Sequence, residues 1–277
     1  MNSVEPTSSQ LIAVNASGPI GVFDSGVGGI SVLKHIRALM PHEDLLYVAD
    51  SKFAPYGSKT PEFIRERTDA IASFLIEKGA KALVVACNTA TAAAAEYLRD
   101  RYALPIIAME PAVKPAAQAT KTGVIGVLAT SGTLQSAQFA ALLEHYGQNV
   151  QVVTQACHGL VECIERGDLA GAETEALLRR YVQPLLEANA DTIVLGCTHY
   201  PFVRPLIESL LGGQVTLIDT GDAVARHLKS RLENLHLITS KSAMGHVEFW
   251  SNSPDVNASQ VMSQLWGDSA NVEVLKR

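Results

Sequence analysis

The sequence predicts an α/β protein with mainly parallel sheets, built as two pseudo-symmetric halves. Three observations carry that reading. Short apolar runs alternate with longer segments of helical pattern, the order in which parallel sheets are connected. Most of the runs are continuous stretches of Val, Ile and Leu, as strands covered on both faces should be. And one strand–loop–helix plan occurs twice.

Taken in order, Ile20–Asp24 is the first apolar run and Gly29–Leu39 the helix after it. Leu45–Ala49 follows, then a helix over Pro61–Glu77; Thr60-Pro61 supplies its N-cap and first residue, and Lys78-Gly79 its stop. Ala82–Ala86 leads into a helix over Thr89–Arg99, and Ile106–Met109 is the next strand. Val124–Ala129 precedes a helix over Leu134–His145. Val150–Thr154 precedes helices over Leu160–Arg166 and Glu173–Glu187. Thr192–Gly196, a helix over Pro201–Leu211 and Val215–Ile218 complete the pattern, and no usable motif follows about residue 235.

The duplication is visible in two pairs of segments. Gly21-Val22-Phe23-Asp24-Ser25-Gly26 matches Gly126-Val127-Leu128-Ala129-Thr130-Ser131. Leu83-Val84-Val85-Ala86-Cys87-Asn88-Thr89 matches Ile193-Val194-Leu195-Gly196-Cys197-Thr198-His199 at a nearly equal offset. Ligands of such sheets bind beyond the carboxyl ends of the strands. All four segments end a strand there, so two facing halves would present similar edges to one cleft.

At 277 residues, 47% hydrophobic and 18% charged, the chain has the composition of a globular protein with a sizeable core. A net charge of −6 opposes a non-specific grip on nucleic acid. No apolar run approaches the ~20 residues that span a bilayer. Met1 to Gly18 is mostly small and polar and reads as a mobile tail on a cytoplasmic protein. The four cysteines, Cys87, Cys157, Cys163 and Cys197, read as free thiols, with no export signal and no CxxC pair to suggest disulfides or zinc.

Cys87 and Cys197 each end an apolar run and precede a polar pair and a helix. Backbone N–H groups at a helix start favour a thiolate, and a free thiol is already ~3% ionised at pH 7. Inverting a stereocentre by proton transfer needs a base on one face and an acid on the other, able to exchange roles in the reverse direction. A pseudo-symmetric pair of thiols meets that demand. Cys157 and Cys163 lack the motif and read as core residues.

Asp24-Ser25-Gly26-Val27-Gly28-Gly29 ends the first strand and opens a helix. Its glycines could cradle an anion, although neither dinucleotide nor P-loop spacing is present. Asp24 suits a substrate ammonium or a catalytic thiol; a helix cap is its ordinary alternative. Pro55-Tyr56-Gly57 reads as a turn after Asp50. Thr130 and Thr133 bracket a second helix start and could hold a carboxylate, and His199 could polarise Cys197 or relay its proton.

These motifs, GVFDSGVGG (Gly21–Gly29), PYG (Pro55–Gly57), ACNTATA (Ala86–Ala92) and GCTHYPF (Gly196–Phe202), have support from EPAVKPA (Glu110–Ala116) and ATSGT (Ala129–Thr133). Through them residues 20 to 220 resemble the glutamate racemases of the aspartate/glutamate racemase superfamily. Aspartate racemases typically carry an acidic residue where His199 stands. The resemblance implies two Rossmann-like domains with the active site between them, residues 19–111 with 221–277 forming one and 112–220 the other. It implies no cofactor and no metal. Cys197 would take the proton from L-glutamate and Cys87 deliver one to the other face, with Asp24 assisting Cys87, and His199 and a glutamate assisting Cys197. Asp24, Ser25, Pro55, Tyr56, Gly57, Cys87, Asn88, Thr89, Thr130, Thr133, Cys197, Thr198 and His199 would surround the substrate, L- or D-glutamate.

The family commonly has Cys-Pro where this chain has Cys157-His158. Counting from Cys157 places the assisting glutamate at Glu165, with Glu162 close enough to leave the choice open. By its family, the D-glutamate made would feed peptidoglycan, and hence cell-wall, synthesis. A homodimer, and the contact with DNA gyrase that some glutamate racemases make, are left open by the sequence. The competing readings are an aspartate racemase, disfavoured by PYG and HYP, and a non-catalytic anion-binding module built on Gly26–Gly29.

Overall fold

The apolar run Ile20–Asp24 (β1) is buried at every position, because parallel neighbours flank it and helices cover both faces of the sheet. Leu45–Ala49 (β2) pairs with it on one side and Ala82–Val85 (β3) on the other, with Ile106–Ile107 (β4) beyond β3. Helices Ile30–Leu39 (α1), Pro61–Glu77 (α2) and Asn88–Arg101 (α3) make the crossovers. Thr60 caps α2 as predicted, its hydroxyl accepting from Phe63 N–H at 3.3 Å. The computed structural model describes residues 15–213, 215–253 and 257–277.

After Val113–Ala119 (α4) the plan repeats. Val124–Ala129 (β5) pairs with Gln151–Ala156 (β6) and Thr192–Leu195 (β7), and Thr216–Ile218 (β8) lies beyond β7. The orders β2-β1-β3-β4 and β6-β5-β7-β8 are the same, with every pairing parallel. Leu160–Glu165 (α7), Ala172–Glu187 (α8) and Arg204–Leu211 (α9) cover one face of the second sheet. On the other face lie α4 and Ala137–Tyr146 (α6), with the short Ser131–Leu134 (α5) before it. Gly221–Asn234 (α10) returns the chain to the first sheet, packing on α1. Val247–Ser251 (β9) then adds beside β2, Ala258–Trp266 (α11) packs on α1, and Val272–Val274 (β10) forms the edge.

Several predicted elements differ, most of them by one or two residues at an end. The helix read as Leu134–His145 is broken, because Ser136 Oγ donates to Thr133 C=O at 2.7 Å and accepts from Phe139 N–H at 3.1 Å, capping a new helix. The helix read as Pro201–Leu211 begins as a 3₁₀ turn over Tyr200–Val203; Pro205 has no N–H to give to the carbonyl of Pro201, which Arg204 N–H takes instead. The strand read as Ile106–Met109 ends at Ile107. Residues 1–14 of the expected tail lie outside the described residues. Asn15–Gly18 forms a turn, with the Lys81 ammonium donating to Ala16 C=O at 2.7 Å. Among the described residues no helix is long and apolar enough to cross a membrane.

In each sheet the crossovers leave the central strand in opposite directions, which opens a crevice at the strands' carboxyl ends. Asp24 and Cys87 stand at that point of the first sheet, and Thr130 and Cys197 at that point of the second.

Candidate active site

Cys87 stands two residues beyond β3 and is the N-cap of α3, its sulfur accepting from Ala90 N–H at 3.5 Å. The helix start therefore does meet the sulfur, yet it does not govern its titration. Burial pushes the Cys87 thiol well above its usual range, and the Asp24 carboxylate adds to that; the Ala90 N–H works against both. The expectation that the helix would make this thiol easy to ionise is overturned by desolvation.

Asp24 is fully buried. Its Oδ1 accepts from Ser25 N–H at 2.5 Å and Ser25 Oγ at 3.0 Å, and its Oδ2 from Thr198 Oγ1 at 2.9 Å. It is not a cap for α1, whose N-cap is Gly29 with no side-chain bond. Burial raises its pKa, although the charge of His199 pulls the other way.

Cys197 lies in the equivalent place after β7, its sulfur 3.7 Å from His199 Nδ1. His199 Nε2 stands 2.5 Å from Glu165 Oε1. Burial opposes a charge on His199, but the hydrogen bonds and charges of Cys197 and Glu165 outweigh it and hold the imidazolium well above its ordinary range. Glu165, and not Glu162, is thus the carboxylate that reaches His199. Its Oε1 also accepts from Val27 N–H at 2.7 Å, and its Oε2 from Ser51 Oγ at 3.0 Å. The glycine loop after β1 does receive an anion, the carboxylate of the chain's own Glu165. A Cβ at Gly26 would overlap that carboxylate, and one at Gly28 the His199 ring.

Cys87 and Cys197 line one narrow cavity, together with Ser25, Pro55, Tyr56, Gly57, Asn88, Thr89, Thr130, Thr133, Thr198 and His199. Asp24 and Glu165 sit behind that lining. Thr89 Oγ1 lies 2.9 Å from Thr130 Oγ1 and 3.2 Å from Thr133 Oγ1, so three hydroxyls from both halves converge. Asn88 is buried with neither side-chain polar atom hydrogen-bonded to any described residue, leaving both for a ligand. Tyr56 faces the cavity with its ring while its hydroxyl donates to Asp50.

Asp50, Arg67 and Asn252 form a network that no sequence motif marks. Arg67 binds Asp50 through Nε at 3.0 Å and Nη2 at 2.7 Å, and Asn252 Nδ2 donates to Asp50 at 2.6 Å. The signal available was position alone, since Asp50 follows the carboxyl end of β2. Val161 of α7 and Gly196 also line the cavity unannounced. Cys157 and Cys163 stand apart from it: burial pushes the Cys157 thiol up to about 12, and Cys163 receives Arg166 Nη2 at 3.6 Å. Cys163, Asp168 and Glu173 are the one metal-capable grouping among the described residues. Arg166 pairs with Glu173 at 3.0 Å and Asp168 accepts from Gly171 N–H at 2.7 Å, so its members are already engaged.

Two thiols beyond equivalent strand ends, each beside an ionisable side chain, give the site the form of an α/β racemase's. Residues 28–228 match the Asp/Glu/Hydantoin racemase family, and the chain belongs to it. It is 58% identical to a glutamate racemase of Stutzerimonas stutzeri over 94% of this chain and 98% of that one. Among solved structures it is similar to the glutamate racemase of Francisella tularensis in complex with D-glutamate, at 29% identity and TM-score 0.81 over 94% of this chain and 98% of that one. It is likewise similar to the Escherichia coli enzyme in complex with L-glutamate and an activator, at 31% identity and TM-score 0.82 over 93% and 98% of the two chains.

Proposed function

We propose that the protein interconverts L- and D-glutamate by a two-base mechanism that uses Cys87 and Cys197 and no cofactor. The observation that carries the reading is the pair of thiols lining one cavity from equivalent strand ends of two sheets. The identity to curated glutamate racemases and the glutamate-bound relatives support the substrate.

With L-glutamate between the sulfurs, the Cys197 thiolate takes the α-proton. The Cα–H bond breaks, an S–H bond forms, and the electron pair spreads into the substrate's α-carboxylate. The Cys87 thiol then gives its proton to the opposite face, and D-glutamate runs the same steps backwards. His199 compensates the charge on Cys197 whenever that sulfur is deprotonated, with Glu165 holding the ring. Asp24 assists Cys87 in the opposite sense, its carboxylate favouring the thiol that delivers the proton. Asn88 and the hydroxyls of Ser25, Thr89, Thr130, Thr133 and Thr198 bind the ammonium and carboxylates, and Pro55-Tyr56-Gly57 closes over them.

The same reading takes residues 19–111 with 221–277, and 112–220, as the two domains, consistent with their separate sheets. It makes the protein a cytoplasmic supplier of D-glutamate to peptidoglycan, and so to the cell wall and cell shape. The test is a chiral assay of L-glutamate and L-aspartate with no cofactor added, with and without a chelator. Glutamate turnover far above aspartate, indifferent to the chelator, is expected. Equal use of aspartate would move the chain to another branch, and chelator sensitivity would overturn the two-thiol scheme.

A further inference from the structure

Glu165 belongs to α7 of the second half, but two of its three hydrogen bonds go to the first. Val27 N–H and Ser51 Oγ hold its two oxygens at 2.7 and 3.0 Å, leaving Oε1 within 2.5 Å of His199. A glutamate side chain has three free torsions, and this one is still 16% exposed to competing water. Its aim at His199 therefore depends on those two anchors. Ser51 is itself well placed to act as one. It follows Asp50, which Arg67 and Asn252 clamp, and it begins the 3₁₀ turn Ser51–Phe53 that leads into Pro55-Tyr56-Gly57.

We infer that Ser51 is a positioning residue for the Cys197 side of the reaction, pinning Glu165 across the cleft so that the Glu165–His199 pair is completed only when the two halves meet. This rests on the racemase reading above. It links the loop that covers the substrate to the group that assists one thiol, through a single hydroxyl. Among the described residues Glu162, one turn earlier on α7, makes no such bond.

The experiment compares Ser51→Ala, Ser51→Thr, Glu165→Gln and the double variant Ser51→Ala/Glu165→Gln. Ser51 borders a cavity of about 210 Å³ that leaves room for the threonine methyl. Ser51→Ala should lower kcat/KM about 10-fold from either enantiomer, the scale of a lost hydrogen bond to a charged group. Its kcat and KM should skew between the two directions in the same sense as in His199→Asn, and Ser51→Thr should recover most of the loss. On the Glu165→Gln background the serine change should cost less than about twofold, because the two act as one unit. A proton spectrum supplies a readout independent of turnover. The downfield imidazole N–H resonance of the His199–Glu165 bond, assigned by its loss in Glu165→Gln, should weaken in Ser51→Ala and return in Ser51→Thr. Wild-type rates in Ser51→Ala, full additivity with Glu165→Gln, or an unchanged or absent resonance would each overturn the inference. Failure of the wild type to racemise glutamate would instead strike the racemase reading, with the spectrum still deciding whether Ser51 holds Glu165.

Discussion

Burial pushes the Cys87 thiol well above its usual range, with Asp24 adding to the effect, while Cys197 lies beside His199, so the surroundings of the two thiols differ. Because Asp24 contributes to the high pKa of Cys87, Asp24→Asn should lower it, seen as thiolate absorbance emerging at lower pH; no movement would remove Asp24 from that half-site. Enantiomers have equal free energy, so every variant must change kcat/KM equally in both directions. Asp24→Asn and His199→Asn should each cost on the order of 10²–10⁴-fold there, with opposite skews in kcat and KM separately. The same skew in both would contradict one helper per thiol. The raised pKa of His199 also makes a stability prediction. Its contribution is fully present below about pH 6.5, the unfolded value, and is lost as pH rises through the folded one. The advantage in melting temperature of the wild type over Glu165→Gln should therefore be largest near pH 6 and shrink in alkali; a gap that widened with pH would reverse the assignment. At this scale the thiols, Asp24 and His199 were legible because each stands in a strand-end motif. Glu165 against Glu162 was not, since both lie on one short helix and only the fold shows which reaches His199.

The loop between β1 and α1 shows what its glycines are for. They leave no room for a polyphosphate cradle; they let Glu165 and His199 approach the backbone. Gly26→Ala should push the Glu165 carboxylate off Val27 N–H and cost on the order of 10²-fold in kcat/KM, the scale of a misplacement of ~1 Å. A Gly26→Ala variant with wild-type kinetics and an unmoved Glu165 in its crystal structure would refute that role. Strands buried on both faces, such as β1, β2 and β5, were legible to the residue because unbroken apolar runs have definite ends. Breaks made by a side chain were not: Ser136 halts one helix by bonding to Thr133, a contact that no apolar pattern reports. In β9 buried and more exposed residues mix, without the continuous apolar run that marked the central strands.

Across the whole molecule, duplication explains why there is one site and why it has two sides. The repeated order puts β1 and β3 in the places of β5 and β7, so Asp24 answers to Ala129, and Cys87 to Cys197. The copies have diverged where chemistry needs them to: no carboxylate follows β5, and the second half takes Glu165 from α7 instead. The duplication was legible in four short segments. The place of β9 and the Asn252 arm of the Asp50 clamp were not, because β9 and Asn252 meet β2 and Asp50 some two hundred positions away without a shared motif. The central claim, two thiols on opposite faces of one α-carbon, is tested most directly by racemising L-glutamate in heavy water and measuring label at the α-carbon of both enantiomers at low conversion. Deuterium should appear in the early D-glutamate, delivered from solvent-exchanged Cys87, and none in the remaining L-glutamate. Heavy labelling of unconverted L-glutamate would show a single base serving both faces, and would contradict the central claim.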